Sequence, residues 1–557
     1  MEKVWLKNYS GDIPEHIDSE QYSSLTAIIE ESLEKYPQNI AYTNMGTNLT
    51  YEQLDKKSRQ FASYLQHRLH LKKGARVAIM MPNILQYPVA LYGILRAGMV
   101  AVNVNPLYTG RELRHQLSDS GSEAIVILAN FAHVLADVID ETPVRRIIVT
   151  ELADMCPWPK RTLINWVLKY VKKMVPKFNL PHYECFLDAL RKSADKTFTK
   201  VDIEESDIAF LQYTGGTTGV SKGAVLTHKN MLSNVIQAEA WFKTCINTDK
   251  EIVITALPLY HIFSLTANCL FFSKIGGLNV LITNPRDMPG FVKELKKWPF
   301  TGFTGVNTLF NGLLNTPGIE EVDFTHLKLS FAGGMAVQPS VAKEWEELTK
   351  TVMIQGYGLT ETSPAAIVNP LDVKEFNGSI GLPISSTDVS IRDDEGNELG
   401  FDEPGEVCIK GPQVMKGYWQ RPDETRKVMT NDGWFATGDI GKINAEGYVT
   451  LVDRKKDMIL VSGFNVFPNE LEAVVAEHPE VLEVAAIGIP DERSGEVVKL
   501  FIVAKSPSLT KEDVMAFCKE NLTGYKRPKH IEFRDDLPKS NVGKILRKDL
   551  RAEVDTE

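Results

Sequence analysis

Cysteine is scarce and scattered. Six occur in 557 residues, at 156, 185, 245, 269, 408 and 518, with no CxxC pair and no zinc spacing. A chain this long builds its own cores, so inert thiols in a reducing compartment are expected rather than a disulfide framework. None of the eleven histidines lies in an HExxH pattern, which leaves a zinc hydrolase unsupported. Positive charge is short as well. A net charge of −10 supplies no chain-wide basic surface and argues against nucleic acid as the main partner. Long apolar runs are also lacking: "FSLTANCLFFSKIGG" is broken by Lys274 and two glycines, and "YPVALYGILRAGMVAVNV" by Arg96. Neither gives the roughly 20 uninterrupted residues of a spanning helix. "MEKVWLKNYSGDIPEH" has no apolar segment of the secretory kind, so a cytoplasmic address is expected.

What is present is an ordinary folded composition, 43% apolar and 24% charged, in a chain long enough for several domains. "SLTAIIEESLEKYP" predicts an amphipathic helix ended by Pro37, and "YPVALYGILRAG" a helix closed by Gly98. "ARVAIMMPN", "MVAVNVNP", "EAIVILAN" and "VRRIIVTE" predict buried strands. Strands alternating with helices predict an α/β fold with a largely parallel sheet. After "YVTLVDRKKDMILVSGF" the pattern changes. Helix "NELEAVVAEH", strands "VLEVAAIGIP" and "EVVKLFIVA", and helix "TKEDVMAFCKEN" predict a separate α+β unit of about a hundred residues. The expected division is 1–453, a linker at 454–457, and 458–557.

Residues 158–178, "WPKRTLINWVLKYVKKMVPKF", place Leu163, Trp166, Val167, Tyr170, Val171 and Met174 on one helical stripe, with Asn165, Lys169, Lys172 and Lys173 opposite. A basic amphipathic helix with interfacial aromatics fits an anionic membrane surface. Packing on the protein's own core fits the same periodicity.

"YTGGTTGVSKGAV" (213–225) concentrates glycines, hydroxyls and one lysine, the ingredients of a phosphate cradle. Its spacing matches neither the Walker A loop nor the G-x-G-x-x-G fingerprint. Four more polar clusters interrupt the apolar pattern: "LPLYHIF" with His261, "QGYGLTETSP" with Tyr357, Thr360 and Glu361, "GWFATGDIG" with a short strand ending on Asp439, and "LPKSNVGKILRK" with Lys544. Singly each is weak; a buried, satisfied histidine would explain His261 equally well.

Together, in this order, they resemble the adenylate-forming (ANL) superfamily of acyl-CoA synthetases, luciferases and adenylation domains. "YTGGTTGVSKGA" is similar to its phosphate loop, "GYGLTET" to its nucleotide and magnesium motif, "TGDIG" to its ribose motif, "DRKKDMILVSGFNVFP" to its hinge and "PKSNVGKILRK" to its catalytic lysine motif. Stretches between the motifs, among them "MMPNILQYPVALYGILRAGMV", "VNVNPLYTGREL" and "TGVNTLFNGLLN", resemble the bacterial long-chain fatty acid–CoA ligases.

The resemblance implies a large N-terminal domain of layered α/β subdomains with a small β-barrel-like part, and a small mobile α+β C-terminal domain. It implies ATP, Mg²⁺ and coenzyme A, with a fatty acid as the group activated. Thr214, Gly215, Gly216, Thr217, Thr218, Gly219 and Lys222 would wrap the pyrophosphate end of ATP. Glu361 would hold Mg²⁺, with Thr360 at the α-phosphate. Tyr357 would stack on adenine opposite "AGGMA", which includes Gly334, Met335 and Ala336. Asp439 would accept both ribose hydroxyls, helped by Arg454, and His261 would sit by the carboxylate. Lys544 would bridge that carboxylate and the α-phosphate. A pivot at Lys456, lysine where many relatives have aspartate, would exchange Lys544 for Ser462, Gly463 and Phe464. Val306, Phe310, Leu313 and Leu314 would line an acyl tunnel, though plain core packing fits their spacing as well.

The basic helix makes peripheral contact with the cytoplasmic face of the inner membrane an expectation, and the resemblance is compatible with a homodimer. A medium-chain or aryl acid–CoA ligase, an acyl-AMP ligase and a non-catalytic nucleotide sensor are the competing readings. No carrier segment follows Lys544, which disfavours a built-in carrier.

Overall fold

The computed structural model describes residues 2–194, 197–214, 221–246, 249–491 and 493–554. Among these, a large N-terminal domain carries two big sheets and a smaller all-β part, followed by a small C-terminal domain. One sheet has seven strands. Its parallel centre consists of Arg146–Thr150, Ala124–Leu128, Arg76–Met80, Val100–Asn103 and Ile208–Thr214, and Lys222–Thr227 is added antiparallel. The other has nine strands and is parallel through Met353–Gly358, Leu329–Gly333, Gly302–Gly305, Ile252–Thr255, Leu278–Leu281 and Ile40–Asn44.

Helix Gln86–Arg96 is buried along its whole length, as a helix apolar on every side must be. Tyr87 donates to Asn103 of the seven-stranded sheet at 2.8 Å, and Tyr92 to the carbonyl of Cys269 at 2.9 Å. The expected helix at 24–37 runs Leu25–Lys35. The helix expected over 158–178 is shorter: Lys160–Trp166, continued by a π-turn at Val167–Val171.

Four antiparallel strands, Asp388–Arg392, Gly405–Lys410, Phe435–Ile443 and Val449–Arg454, make the small all-β part. Asp439 lies inside the third strand rather than at its end, because the strand continues past a register irregularity at Ile440/Gly441. The beginning of the chain straps this part. Trp5 is buried against Gly447 and Asn8 donates to the carbonyl of Glu446, while Tyr9 donates to that of Pro383 at the edge of the nine-stranded sheet.

In the C-terminal domain, Val481–Asp491 and Gly495–Ala504 form a long hairpin at the heart of a five-stranded sheet. The strand alternation sends Val484, Ala486, Leu500 and Ile502 toward helices Pro468–Val475 and Lys511–Asn521. Ala485, Ile487, Phe501 and Val503 face Leu537 and Leu550 instead. Strand His530–Phe533 and helix Arg547–Val554, neither marked by a strong local pattern, complete the unit.

Candidate active site

Parallel strands deliver their following loops to one sheet edge, and here four of them do so side by side. Thr255 pairs with Thr304, Gly305 with Ala332, and Gly333 with Gly356. The segments that follow carry His261, Val306, Gly334 and the Tyr357–Glu361 stretch. Gly358 is required where it stands: a Cβ would lie 1.8 Å from the Pro364 carbonyl oxygen.

Asp439 is 5% exposed and held from two sides. The Tyr357 hydroxyl donates to its Oδ2 at 2.6 Å, and Arg454 Nε pairs with its Oδ1 at 3.1 Å from the neighbouring strand. Burial, then the Asp439 charge, keeps the Tyr357 phenol protonated far above its usual range. Glu361 is 7% exposed and accepts from the Tyr418 hydroxyl at 2.6 Å. Burial raises its pKa, and the Tyr418 bond opposes that rise. Thr360 shares a short 3₁₀ turn with Glu361.

Lys544 comes from the C-terminal domain into the electrostatic reach of these groups. Burial, then the Arg454 guanidinium, pushes its ammonium down to about 8, with the Asp439 carboxylate opposing. Burial and the Lys544 charge hold His261 down at about 4. Both residues keep partial exposure while surrounded by protein, as the walls of a cleft do. Val306 borders the same cleft: its methyls would lie 3.7 Å from a Cβ at Gly334 and 3.3 Å from one at Gly543. Met335, next to Gly334, is partly buried against the core, and Ala336 is exposed.

Thr214 and Lys222 are paired across the base of the hairpin that carries the glycine- and threonine-rich loop. Gly215, Gly216, Thr217, Thr218 and Gly219 lie outside the described residues. Lys222 pairs with Glu424 and stands 5.0 Å over the Tyr418 ring. Tyr418 was not evident from sequence. It arrives because residues 416–419 bond along strand Lys222–Thr227, through Val225 N to Gly417 O and Trp419 N to Gly223 O. A glycine–aromatic pair in a polar loop, "KGYW", was the only local signal.

Other residues singled out lie outside this cluster. Phe310 and Leu313 are fully buried. Phe310 packs at 4.8 Å on Trp345 and 5.3 Å on Phe303, the geometry of core packing, and Leu314 is partly buried beside them. Ser462 and Gly463 form an exposed left-handed hairpin turn, and Phe464 stacks on Tyr525 at 4.7 Å. Lys456 is exposed between Asp453 and Asp457, which the C-terminal Arg547 and Arg551 hold. Among the described residues no group of three or more His, Cys, Asp or Glu side chains forms a metal cage. A lone buried carboxylate such as Glu361 suits an ion that takes its other ligands from phosphates and water.

Residues 29–419 match the AMP-binding enzyme family, and 470–544 match the AMP-binding enzyme C-terminal domain. The chain belongs to the AMP-binding enzyme family. Within the family it is 56% identical over 554 residues to a long-chain-fatty-acid–CoA ligase from Escherichia coli O157:H7, covering 100% of this chain and 99% of that one. It is 57% identical over 553 residues to the Yersinia pestis protein of the same name, covering 99% and 98%. Among solved structures, ATP-bound MatB from Rhodopseudomonas palustris is 27% identical with a TM-score of 0.82, covering 95% of this chain and 99% of that one.

Proposed function

We propose that this enzyme activates long-chain fatty acids with ATP, forming an acyl-adenylate and pyrophosphate, then transfers the acyl group to coenzyme A with release of AMP. The observation that carries the reading is Lys544, which the C-terminal domain seats against large-domain Thr308 and Val306 through the adjoining Gly543, within electrostatic reach of His261, Arg454 and Asp439. A carboxylate carries no leaving group at neutral pH. Its attack on the α-phosphorus of ATP supplies one, and a thiol then displaces AMP.

The protein's part is to orient and to neutralise charge. Asp439, fixed by Tyr357 and Arg454, offers one carboxylate to the ribose hydroxyls, and the Tyr357 ring and residues 332–336 flank the base. Lys222 and Thr214 flank the loop that receives the β- and γ-phosphates. Glu361 would hold Mg²⁺, which when bound neutralises phosphate charge. Lys544 spans the acyl carboxylate and the α-phosphate, and neutral His261 borders the carboxylate. Val306 begins the acyl site. Pivoting at 454–457 then withdraws Lys544 and presents the 462–464 turn to CoA.

The protein also docks peripherally on the cytoplasmic face of the inner membrane. Asn165, on the polar face of the 160–171 helix, bonds inward to Ala153 N at 2.9 Å and Asp154 at 3.3 Å. The apolar stripe is itself exposed, Leu163 62%, Trp166 53% and Tyr170 60%, and Lys169, Lys172 and Lys173 of the other face are exposed as well. No helix among the described residues is long and apolar enough to cross a membrane.

ATP–pyrophosphate exchange across acids of graded length tests the activity. Exchange that rises toward long-chain fatty acids is expected. A preference for aryl or medium-chain acids, or no exchange with any of them, overturns it.

A further inference from the structure

Lys544 leaves the chain from a tight turn. Ser540 O accepts from Gly543 N at 2.9 Å, Ser540 N donates to Lys544 O at 2.7 Å, and Lys539 bridges Ile545. The peptide plane between Gly543 and Lys544 is pinned at both ends. Its N–H donates to Ser540 Oγ at 3.1 Å, inside the turn. Its carbonyl accepts from the Thr308 hydroxyl at 2.9 Å, and Thr308 belongs to the large domain.

The fit is close. Gly543 adopts φ +84°, and a Cβ there would lie 2.6 Å from Thr308 Oγ1. Thr308 stands in the first turn of helix Asn307–Leu314. In the first turn its hydroxyl has no earlier carbonyl of its own helix to bond, and it is spent across the domain boundary. One turn further on, Asn311 Nδ2 donates to the Leu482 carbonyl at 3.0 Å, a second tie from the same helix to the C-terminal domain.

We propose that Thr308 is a positioning residue for Lys544 that acts in adenylate formation and not in thioester formation. Rotating the C-terminal domain about 454–457 carries Gly543 away from Thr308, so the bond exists only while Lys544 is presented. The hydroxyl fixes the plane from which the lysine side chain springs, and through it the direction of the ammonium. This rests on the reading of Lys544 and the pivot given above.

The test separates the two half-reactions in Thr308→Val, Thr308→Ser and Lys544→Ala enzymes. Pyrophosphate exchange reads adenylate formation. Synthetic acyl-adenylate plus CoA reads thioester formation. Thr308→Val should lower kcat for exchange about threefold to tenfold, the worth of one neutral hydrogen bond. KM for ATP and the rate from preformed adenylate should stay within about twofold of the parent on the same reckoning. Thr308→Ser should restore most of the loss, and adding Thr308→Val to Lys544→Ala should lower exchange no further.

Equal loss in both half-reactions, no rescue by serine, or full additivity with Lys544→Ala each overturns the inference. Thr308→Ala, which adds no bulk beside Gly543, carries the same expectations should the valine enzyme fail to fold. If Lys544→Ala itself loses both half-reactions equally, the reading of Lys544 fails rather than the role of Thr308.

Discussion

Arg547 reaches across the linker to Asp453: Nη1 lies 3.1 Å from Oδ1, although 94 residues separate them. The same guanidinium meets Glu472 at 2.6 Å and Asp457 at 3.6 Å, and Arg551 adds 2.8 Å to Asp457. Acidic groups on both sides of Lys456 are thus gathered by the last helix.

Arg547→Met should destabilise the C-terminal domain by about 3 kcal/mol, because Asp453 would remain buried, and Glu472 largely enclosed, without their cation. Thermal unfolding and limited proteolysis should both show the C-terminal domain released at lower temperature. An unchanged transition would contradict the energetic role of this cluster.

For Lys544, the sign follows from the charged form. With a pKa near 8 in the free enzyme, the ammonium is present below that pH and lost above it. Free-enzyme ionisations appear in kcat/KM. The adenylation kcat/KM should therefore fall as pH rises through about 8. In Lys544→Arg that basic limb should vanish from the residual activity, since guanidinium stays charged. His261, held near 4, is already neutral at pH 5 and should contribute no limb between pH 5 and 9. A basic limb that persists near pH 8 in the arginine enzyme would assign it to another group.

Tyr418→Phe removes the hydroxyl that orients Glu361 while keeping the ring under Lys222. The Mg²⁺ concentration for half-maximal exchange should rise by about tenfold, as is common when a partner of a metal-binding side chain is removed. KM for the fatty acid should stay put. An unaltered Mg²⁺ dependence would detach Tyr418 from the metal.

Replacing Leu163 and Trp166 together by Asp should abolish sedimentation with anionic vesicles, and raised salt should weaken the parent's binding. Exchange with a water-soluble short-chain acid should be preserved. Vesicle binding that survives the double substitution would remove this stripe from the docking surface.

Local pattern disclosed the elements whose burial is periodic. Helix Leu25–Lys35 and strands Arg76–Met80, Val100–Asn103, Ala124–Leu128 and Arg146–Thr150 fall where the apolar spacing puts them. The grouping of His261, Tyr357, Glu361, Asp439 and Lys544 was legible only through the family resemblance, because each polar cluster taken alone fits a satisfied structural role as well. Tyr418 was hidden because its place depends on pairing with a strand about two hundred residues earlier in the chain. The outward stripe at 160–171 was undecidable from periodicity, which marks two faces without saying which one Asn165 would anchor. The tie between Thr308 and Gly543 depends on two domains meeting, and no sequence period records that.

The strap at the beginning of the chain has a consequence for synthesis. Asn8 and Glu446 are 438 residues apart, and Trp5 seats on Gly447. At about 5–20 residues per second, roughly 20–90 s pass on the ribosome before that seat exists. Throughout that interval Trp5 has no native groove to enter, so an early-born stretch of the polypeptide is among the late pieces to settle.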